Sequence, residues 1–441
     1  MSRLFQAQRA MRRKRQAALA RGVVAVLDVG SHKTACLVLR FEENAPEGED
    51  VGRMAGQTNV RVIAAATTRS RGVRAGEVDA MPETERAIRT AVQAAQKRAG
   101  VRVDHVIACF SGGRPLSEGA TGEIPLGPGP CGVGDVAEVL SHVDAPELDA
   151  GREVLHAQPV GFALDHRDLR DPRGQAGDRL RADVHMLSVD SHAVANLLAC
   201  IQRCDLECAG LASAPYAAAT AALVEDEREL GAACIDMGAG TTGLSVFVRG
   251  HMVWADTIAQ GGAHVTSDIS QGLRVPLAVA EGIKTRFGGV VATGRDDREM
   301  IPLEAETGDW NHDRRQVSRA ELIGIIRPRV EEILEEAAAR LEAAGFAQLP
   351  SRRVVLTGGA SQLPGLDGLA GKLLGPRVRL GRPMRVQGLP EAAKGPCHAG
   401  AVGLCLQAAE PQDEFWDFDV HARATGGRSL RRVARWFRDN W

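Results

Sequence analysis

The chain has 441 residues, enough for more than one folded unit, and its 44% apolar content is that of an ordinary globular protein. Its 54 Lys and Arg against 56 Asp and Glu leave a net charge of −2, so bulk electrostatics give no reason to expect nucleic acid as a partner. No apolar run reaches the ~18 residues of a bilayer span, no apolar segment follows the N-terminal charges as in a secretory signal, and nine cysteines at irregular spacing read as reduced cytosolic thiols.

Residues 1–21 carry Arg3, Arg9, Arg12, Arg13, Lys14, Arg15 and Arg21 without an acid and read as a disordered or fraying basic arm. Val23–Leu27 and Ala35–Arg40 read as a hairpin, and Val60–Thr67 continues the strands after a polar loop. Glu83–Arg98 has helical spacing, with Ile88, Val92 and Ala95 on one face, and Val103–Phe110 is another strand. From Ser111 to about Leu180 the pattern breaks into Gly and Pro clusters, a short acidic helix near Val133–Val143 and the strand-like pieces Val154–Pro159 and Gly161–Asp165, so this reads as an inserted subdomain. Val184–Val189 returns as a strand and is followed by a helix, His192–Arg203. Cys200, Cys204 and Cys208 fall across a helix and a strand with no further ligand type beside them, which favours structural thiols over a metal site.

The second half repeats the plan. Ala232–Ile235, Leu244–Arg249 and His251–Thr257 are consecutive strands, and a helical insert runs from Gly261 to about Val317. Arg319–Ala344 is a long amphipathic helix with Ser318 as N-cap and Gly345 as its stop, and it feeds the strand Val354–Leu356. His398–Ala408 is a last helix, and everything after Ala409 reads as linker until Ser429.

Two loops carry chemistry. Asp28-Val29-Gly30-Ser31-His32-Lys33-Thr34 and Asp236-Met237-Gly238-Ala239-Gly240-Thr241-Thr242 each follow an apolar strand and precede another. Gly-rich turns let N–H groups converge on phosphate, and hydroxyls add donors. The Asp cannot bind phosphate directly, so a cation such as Mg²⁺ must lie between. Lys33 has two readings, a phosphate ligand or a solvated cation. A third element, Val354 to Gly365 with Gly358, Gly359 and Ala360 at its turn, suits the base or sugar end of a nucleotide. No Gly-x-x-x-x-Gly-Lys-Ser/Thr is present.

In this order the three elements resemble the phosphate 1, phosphate 2 and adenosine motifs of the Hsp70, hexokinase and actin superfamily. With Ser70-Arg71-Gly72-Val73 and Gly76, Val154-Leu155-His156, Asp226-Glu227-Arg228-Glu229-Leu230-Gly231, Val265-Thr266-Ser267-Asp268-Ile269, Ala280-Glu281-Gly282-Ile283-Lys284 and Ala401-Val402-Gly403-Leu404, the chain resembles the bacterial actin-like cell division family FtsA from about residue 22 to 408, and again at the C-terminal tip. The resemblance implies an α/β, actin-like, two-lobed fold with an inserted subdomain in the first lobe, a flexible linker and a C-terminal amphipathic helix. The expected division is a basic arm at 1–21; a first lobe of 22–101, 183–212 and 382–408; the inserted subdomain at 102–182; a second lobe of 213–255 and 321–381; its upper subdomain at 256–320; a linker at 409–428; and a membrane-targeting helix at 429–441.

It further implies ATP and Mg²⁺ as cofactors. Asp28 and Asp236 would face the metal, Gly30, Ser31, Lys33, Thr34, Gly238, Gly240, Thr241 and Thr242 the phosphates, and Glu281, Lys284, Gly358, Gly359 and Ala360 the ribose and base. Glu281 and Lys284 also suit a surface ion pair, being one helical turn apart. The implied partners are the C-terminal tail of the tubulin-like protein FtsZ at 256–320, other division proteins at the inserted subdomain, further copies in a filament, and an anionic membrane. The implied location is the cytoplasmic face of the cell membrane at the division septum. Arg286, Arg314, Arg315 and Arg319 give the upper subdomain a basic bias that suits a partly acidic peptide, and equally a solvated face.

One departure bears on catalysis. The chaperone-like relatives place a catalytic Glu before a Pro, where this chain has Ala214-Pro215. Ala cannot deprotonate water, so at most a slow ATPase is expected. At the C-terminus Leu430, Val433, Ala434, Phe437 and Trp441 recur at helical spacing, Arg431, Arg432, Arg435 and Arg438 lie opposite or flank them, and Trp436 falls at the boundary. Such a helix is too short to span and suited to lie flat on anionic lipid. The alternatives of the same fold are a pilus-assembly actin homologue, which lacks such a tail, and a kinase, which has no use for one.

Overall fold

The computed structural model describes residues 3–20, 22–41, 60–303, 315–383 and 386–415. Helix α1 (Arg3–Ala20) precedes a meander of β1 (Val23–Val29), β2 (Lys33–Phe41) and β3 (Val60–Arg69), whose Val and Ile residues suit a pleated sheet; β1 and β2 are buried along most of their length, while burial alternates along β3. A small hairpin, β4 (Val73–Arg74) and β5 (Glu77–Val78), leads to α2 (Met81–Ala99). This helix has Pro82 in its first turn and stops at left-handed Gly100, whose N–H closes on Gln96 O. Next comes β6 (His105–Phe110), parallel to β1.

The chain then leaves to build a separate sheet from β7 (Leu116–Pro125), β8 (Arg152–Leu164), β9 (Arg167–Leu169) and β10 (Arg179–Asp190), in the order β7-β10-β8-β9. Helix α3 (Val133–Ser141) covers it, packing Val136, Val139 and Leu140 on Ile124, Leu164 and Leu180. The Asp190 carboxylate accepts N–H bonds from His192 and Ala193 and so starts α4 (Ser191–Arg203), which leads to β11 (Glu207–Ser213). The first large sheet closes in the order β11-β6-β1-β2-β3.

Helices α5 (Ala214–Ala222) and α6 (Glu225–Leu230) open the second half. The meander β12 (Ala232–Met237), β13 (Thr242–Val248), β14 (His251–Ile258) repeats the first. Then follow α7 (Gly262–Leu273), α8 (Leu277–Phe287), the pair β15 (Met300–Pro302) and β16 (Gln316–Ser318), and α9 (Arg319–Ala343). β17 (Arg353–Thr357), α10 (Leu366–Leu373), β18 (Val378–Leu380) and α11 (Ala399–Ala409) complete it. Its sheet runs β14-β13-β12-β17-β18, so each half is three antiparallel strands with two parallel strands added beside the first. Between the sheets α5 packs against β12 and β13, α11 against β1, β2 and β6, and the two helices pack on each other.

Several expectations change. The basic arm is helical: α1 lies on β11 and β8, burying Gln8, Met11 and Ala18, because Gln8 Nε2 finds the backbone oxygens of Leu155 and Leu211. Val154–Pro159 and Gly161–Asp165 are one strand, β8, whose pairing with β10 shifts register between Pro159 and Gly161, where Pro has no N–H to donate. β7, which is rich in Gly, Ser and Thr, gave no strand pattern and is held by its partner β10. β10 is continuous through the expected boundary between residues 182 and 183. The expected linker begins with residues tied to the fold: Gln412 and Glu414 are hydrogen-bonded to it and Phe415 packs on the core of the inserted sheet.

Candidate functional site

Asp28 sits near the exit of β1 opposite Cys109 of β6, and Asp236 near the exit of β12 opposite Thr357 of β17. The turns that follow are alike. Gly30 N–H donates to Lys33 O at 3.0 Å, and Gly238 N–H donates to Thr241 O at 2.9 Å. Both turns open into one cleft of about 420 Å³, lined by Asp28, Gly30, Ser31, Lys33, Asp236, Gly238, Gly240 and Thr241. Glu281, Lys284, Gly358, Gly359 and Ala360 line the same cleft. Gly358 has φ +87°, and a Cβ there would run into the Asp236 carboxylate and the Met237 backbone, so only glycine lets this turn close over the β12 exit.

Electrostatics mark the cleft as unbalanced. Burial and the neighbouring Asp28 charge push the Asp236 carboxyl up to about 7, with Lys33 pulling the other way. A buried carboxyl beside a second carboxylate suits a cation between them. Lys33 Nζ is buried and makes no hydrogen bond among the described residues. A buried ammonium without a partner is costly and suits an anion. Its charge is also felt by His398, whose imidazole is pushed down to about 4 by burial and then by Lys33. No cluster of three or more His, Cys, Asp or Glu that could hold a metal exists among the described residues. A hard cation here would have two carboxylates and must take its other ligands from phosphate and water, the usual habit of Mg²⁺.

Lys284 Nζ donates to Gly262 O at 2.9 Å, to Thr266 Oγ1 at 2.7 Å and to Glu281 Oε2 at 2.7 Å. The pair is therefore an organised corner joining α8 to the start of α7, not a solvated surface bridge. The Glu281 carboxyl is held below its usual range by Lys284 and Thr266 against the opposing effect of burial. Ala214 also lines the cleft, at the first residue of α5, and brings no acid or base there.

Some expected ligands face elsewhere. Thr34 is buried and its hydroxyl is bonded to Ser70 Oγ; Thr242 is buried and donates to Gln260 O. Strand alternation turns both away from the cleft. Of the basic residues assigned to a partner, Arg319 is bound to Asp296 and to Phe287 O inside the upper subdomain, and Arg315 donates to Leu273 O. Arg286 is exposed, over the ring of Phe287. Arg314 and the whole 429–441 helix lie outside the described residues. Sequence reasoning missed Gly262 and Ala263 at the start of α7, and Cys397 and Gly400 before and within α11, all of which line the cleft; the Gly261–Gly262 pair was the available signal.

A cell division protein FtsA of Agrobacterium fabrum is 39% identical over 429 residues, covering 95% of both chains. This chain belongs to the FtsA family. FtsA of Rhizobium meliloti is 38% identical over 422 residues, and that of Escherichia coli strain K12 28% over 430, covering 95% of this chain and 98% of its own. The profile described as cell division protein FtsA matches residues 233–403, and that of the SHS2 domain inserted in FtsA matches 112–188, which takes in the β7-β10-β8-β9 sheet. Among solved structures, the PilM-PilN type IV pilus biogenesis complex superposes with TM-score 0.57 at 18% identity, covering 88% of this chain and 99% of that one. MreB 5 of Spiroplasma citri bound to AMPPNP does so with 0.51 at 12%, covering 87% and 95%. The fold of this FtsA chain is thus actin-like, and among its described residues no helix is long and apolar enough to cross a membrane.

Proposed function

We propose that this FtsA chain binds Mg-ATP between its lobes and serves as the adaptor that ties FtsZ filaments to the membrane at the division site. One observation carries the nucleotide reading: two matching Asp/Gly turns from the two halves open on one cleft that holds two carboxyl groups and a buried ammonium with no hydrogen bond among the described residues. Asp28 and Asp236 would hold the cation, which screens phosphate charge when bound. Lys33, Ser31, Thr241 and the Gly30 and Gly238 turns would take the phosphates, and the Glu281–Lys284 corner with the Gly358–Ala360 turn the nucleoside. Ala214 at the start of α5 leaves water at that position without a base. Nucleotide therefore acts mainly as a ligand that sets conformation and assembly.

The remaining roles rest on the family and on residue pattern. The inserted sheet would meet other division proteins and neighbouring copies, the 256–320 region would receive the FtsZ tail, and the 429–441 helix would lie on the cytoplasmic face of the cell membrane. Of the arginines assigned to the tail and described, Arg286 is exposed, while Arg315 and Arg319 are tied to their own fold. The pilus reading falls away, because likeness to the PilM complex is one of fold at 18% identity. The test is titration of Mg-ATP into the full chain and an Asp236→Ala variant. Loss of the Mg²⁺-dependent part of the affinity is expected, with turnover well below the ~10 per second of a typical enzyme. Equal affinity in a folded Asp236→Ala chain would overturn the metal assignment.

A further inference from the structure

His156 lies in β8, far from the cleft in sequence, yet it joins the inserted sheet to the start of α5. Its ring is buried, and Ser213 N–H donates to Nε2 at 2.9 Å. That bond fixes the tautomer, because a nitrogen that accepts from an amide carries no hydrogen of its own. Nδ1 therefore bears the proton, and it donates to Glu414 Oε1 at 2.8 Å. Glu414 belongs to the segment that leads toward residues 429–441. It also accepts from Ala157 N–H at 2.8 Å and from Gln158 Nε2 at 2.9 Å, so three donors hold one carboxylate. Two residues earlier, Gln412 accepts from Tyr216 Oη at 3.0 Å and donates to Gly250 O at 2.8 Å. The residue after Ser213 is Ala214, which lines the nucleotide cleft.

We propose that this chain of contacts, Glu414 to His156 to the Ser213 amide to Ala214, couples the nucleotide cleft to the root of the C-terminal tail. His156 and Glu414 are positioning residues in it. With Glu414 clamped, His156 Nε2 holds the Ser213 amide and hence the entry of α5 in place beside the cleft. With Glu414 released, the imidazole loses the partner that fixes its Nδ1–H, and the start of α5 loosens. Because linkage is reciprocal, a cleft filled by nucleotide tightens the clamp by the factor by which the clamp tightens nucleotide binding. The chain would thereby shorten the free reach of its tail when nucleotide is bound. This rests on the nucleotide reading of the cleft.

The test uses the full chain and two readouts. Mg-ATP affinity is measured for the wild type and for Glu414→Gln, whose single carbonyl oxygen can serve only one side of the clamp, so that its NH2 must oppose either the Ala157 N–H or the His156 Nδ1–H and the Gln158 amide. Amide exchange at residues 412–415 is followed with and without saturating Mg-ATP. The expected result is an affinity about fivefold weaker in Glu414→Gln, and exchange slowed by a similar factor when wild type binds Mg-ATP, both within the usual range of coupling between sites. Glu414→Asp, which keeps a carboxylate, should recover part of the affinity. Unchanged affinity in a folded Glu414→Gln chain, or exchange at 412–415 indifferent to bound Mg-ATP, would overturn the coupling and leave the cleft reading standing. Failure of the wild type to bind Mg-ATP at all would remove both.

Discussion

Asp236 is ordinary in sequence and unusual in place. With its carboxyl raised to about 7 by burial and Asp28, Asp236 is about half protonated at neutral pH, and Mg²⁺ needs it ionised. Mg²⁺-dependent nucleotide affinity should therefore rise as pH climbs through 7, and lose that rise in Asp236→Asn; an affinity flat from pH 6 to 8 would contradict it. The stability of the nucleotide-free chain runs the other way. A raised carboxyl contributes stability that is full below the unfolded value near 4 and is lost as pH rises to about 7. Thermal melts without ligand should accordingly fall between about pH 4 and 7, and fall less in Asp236→Asn. Lys33 gives a second opposition of sign. Lys33→Met removes a buried ammonium that makes no hydrogen bond among the described residues, so it should raise the melting temperature by about 2 °C or more while weakening ATP about tenfold or more. Parallel losses of stability and binding would mean that Lys33 has a structural partner instead.

At the scale of elements, the lobes are joined by a helix pair with no room in it. A Cβ on Gly403 of α11 would overlap the backbone of Ala217 in α5. Alanines 217, 218 and 221 and small residues on α11 let these helices approach closely, so α5 can also touch β12 and β13 while α11 covers β1 and β6. Gly403→Val should cost about 3 kcal/mol or more by overpacking, read as a fall in the denaturant midpoint. Gly324→Ala on α9, where a Cβ meets no atom within 4 Å, should leave it unchanged or slightly raised. Long periodic elements such as α9 were readable from the chain because burial of Leu322, Ile326, Val330, Ile333 and Ala337 repeats at helical spacing and Ser318 caps the first turn. β7 was not readable, because its strand state comes from pairing with β10, about sixty residues on, rather than from its own side chains.

At the scale of the molecule, both ends of the described chain meet at one cavity. α1 and the segment after α11 share a small cavity lined by Gln8, Met11, His156, Tyr216, Gln412 and Glu414. The tail that follows is expected to lie on membrane. A chain ending at Thr425 should keep Mg-ATP affinity and lose most of its binding to vesicles rich in anionic lipid, and Phe437→Glu in the full chain should do the same. If the truncated chain still sediments with such vesicles, the cationic helix α1 is the next anchor to remove. High salt should weaken the binding of the full chain without abolishing it, since the apolar stripe is not screened.

The sequence by itself determined what is local. Turn chemistry and strand patterning placed Asp28 with Gly30 and Asp236 with Gly238 in equivalent turns and Gly358 in a third, and these line one cleft. The tertiary structure decided which neighbours of those residues point the same way. Lys33 enters the cleft and Thr34 turns to Ser70, because adjacent residues of a strand face opposite sides. It also decided the fate of the ends. A run of arginines and an acidic segment look like solvated tails in one dimension. Gln8 instead pairs with backbone oxygens of β8 and β11, and Glu414 with donors in β8, because buried polar groups take their partners wherever packing brings them.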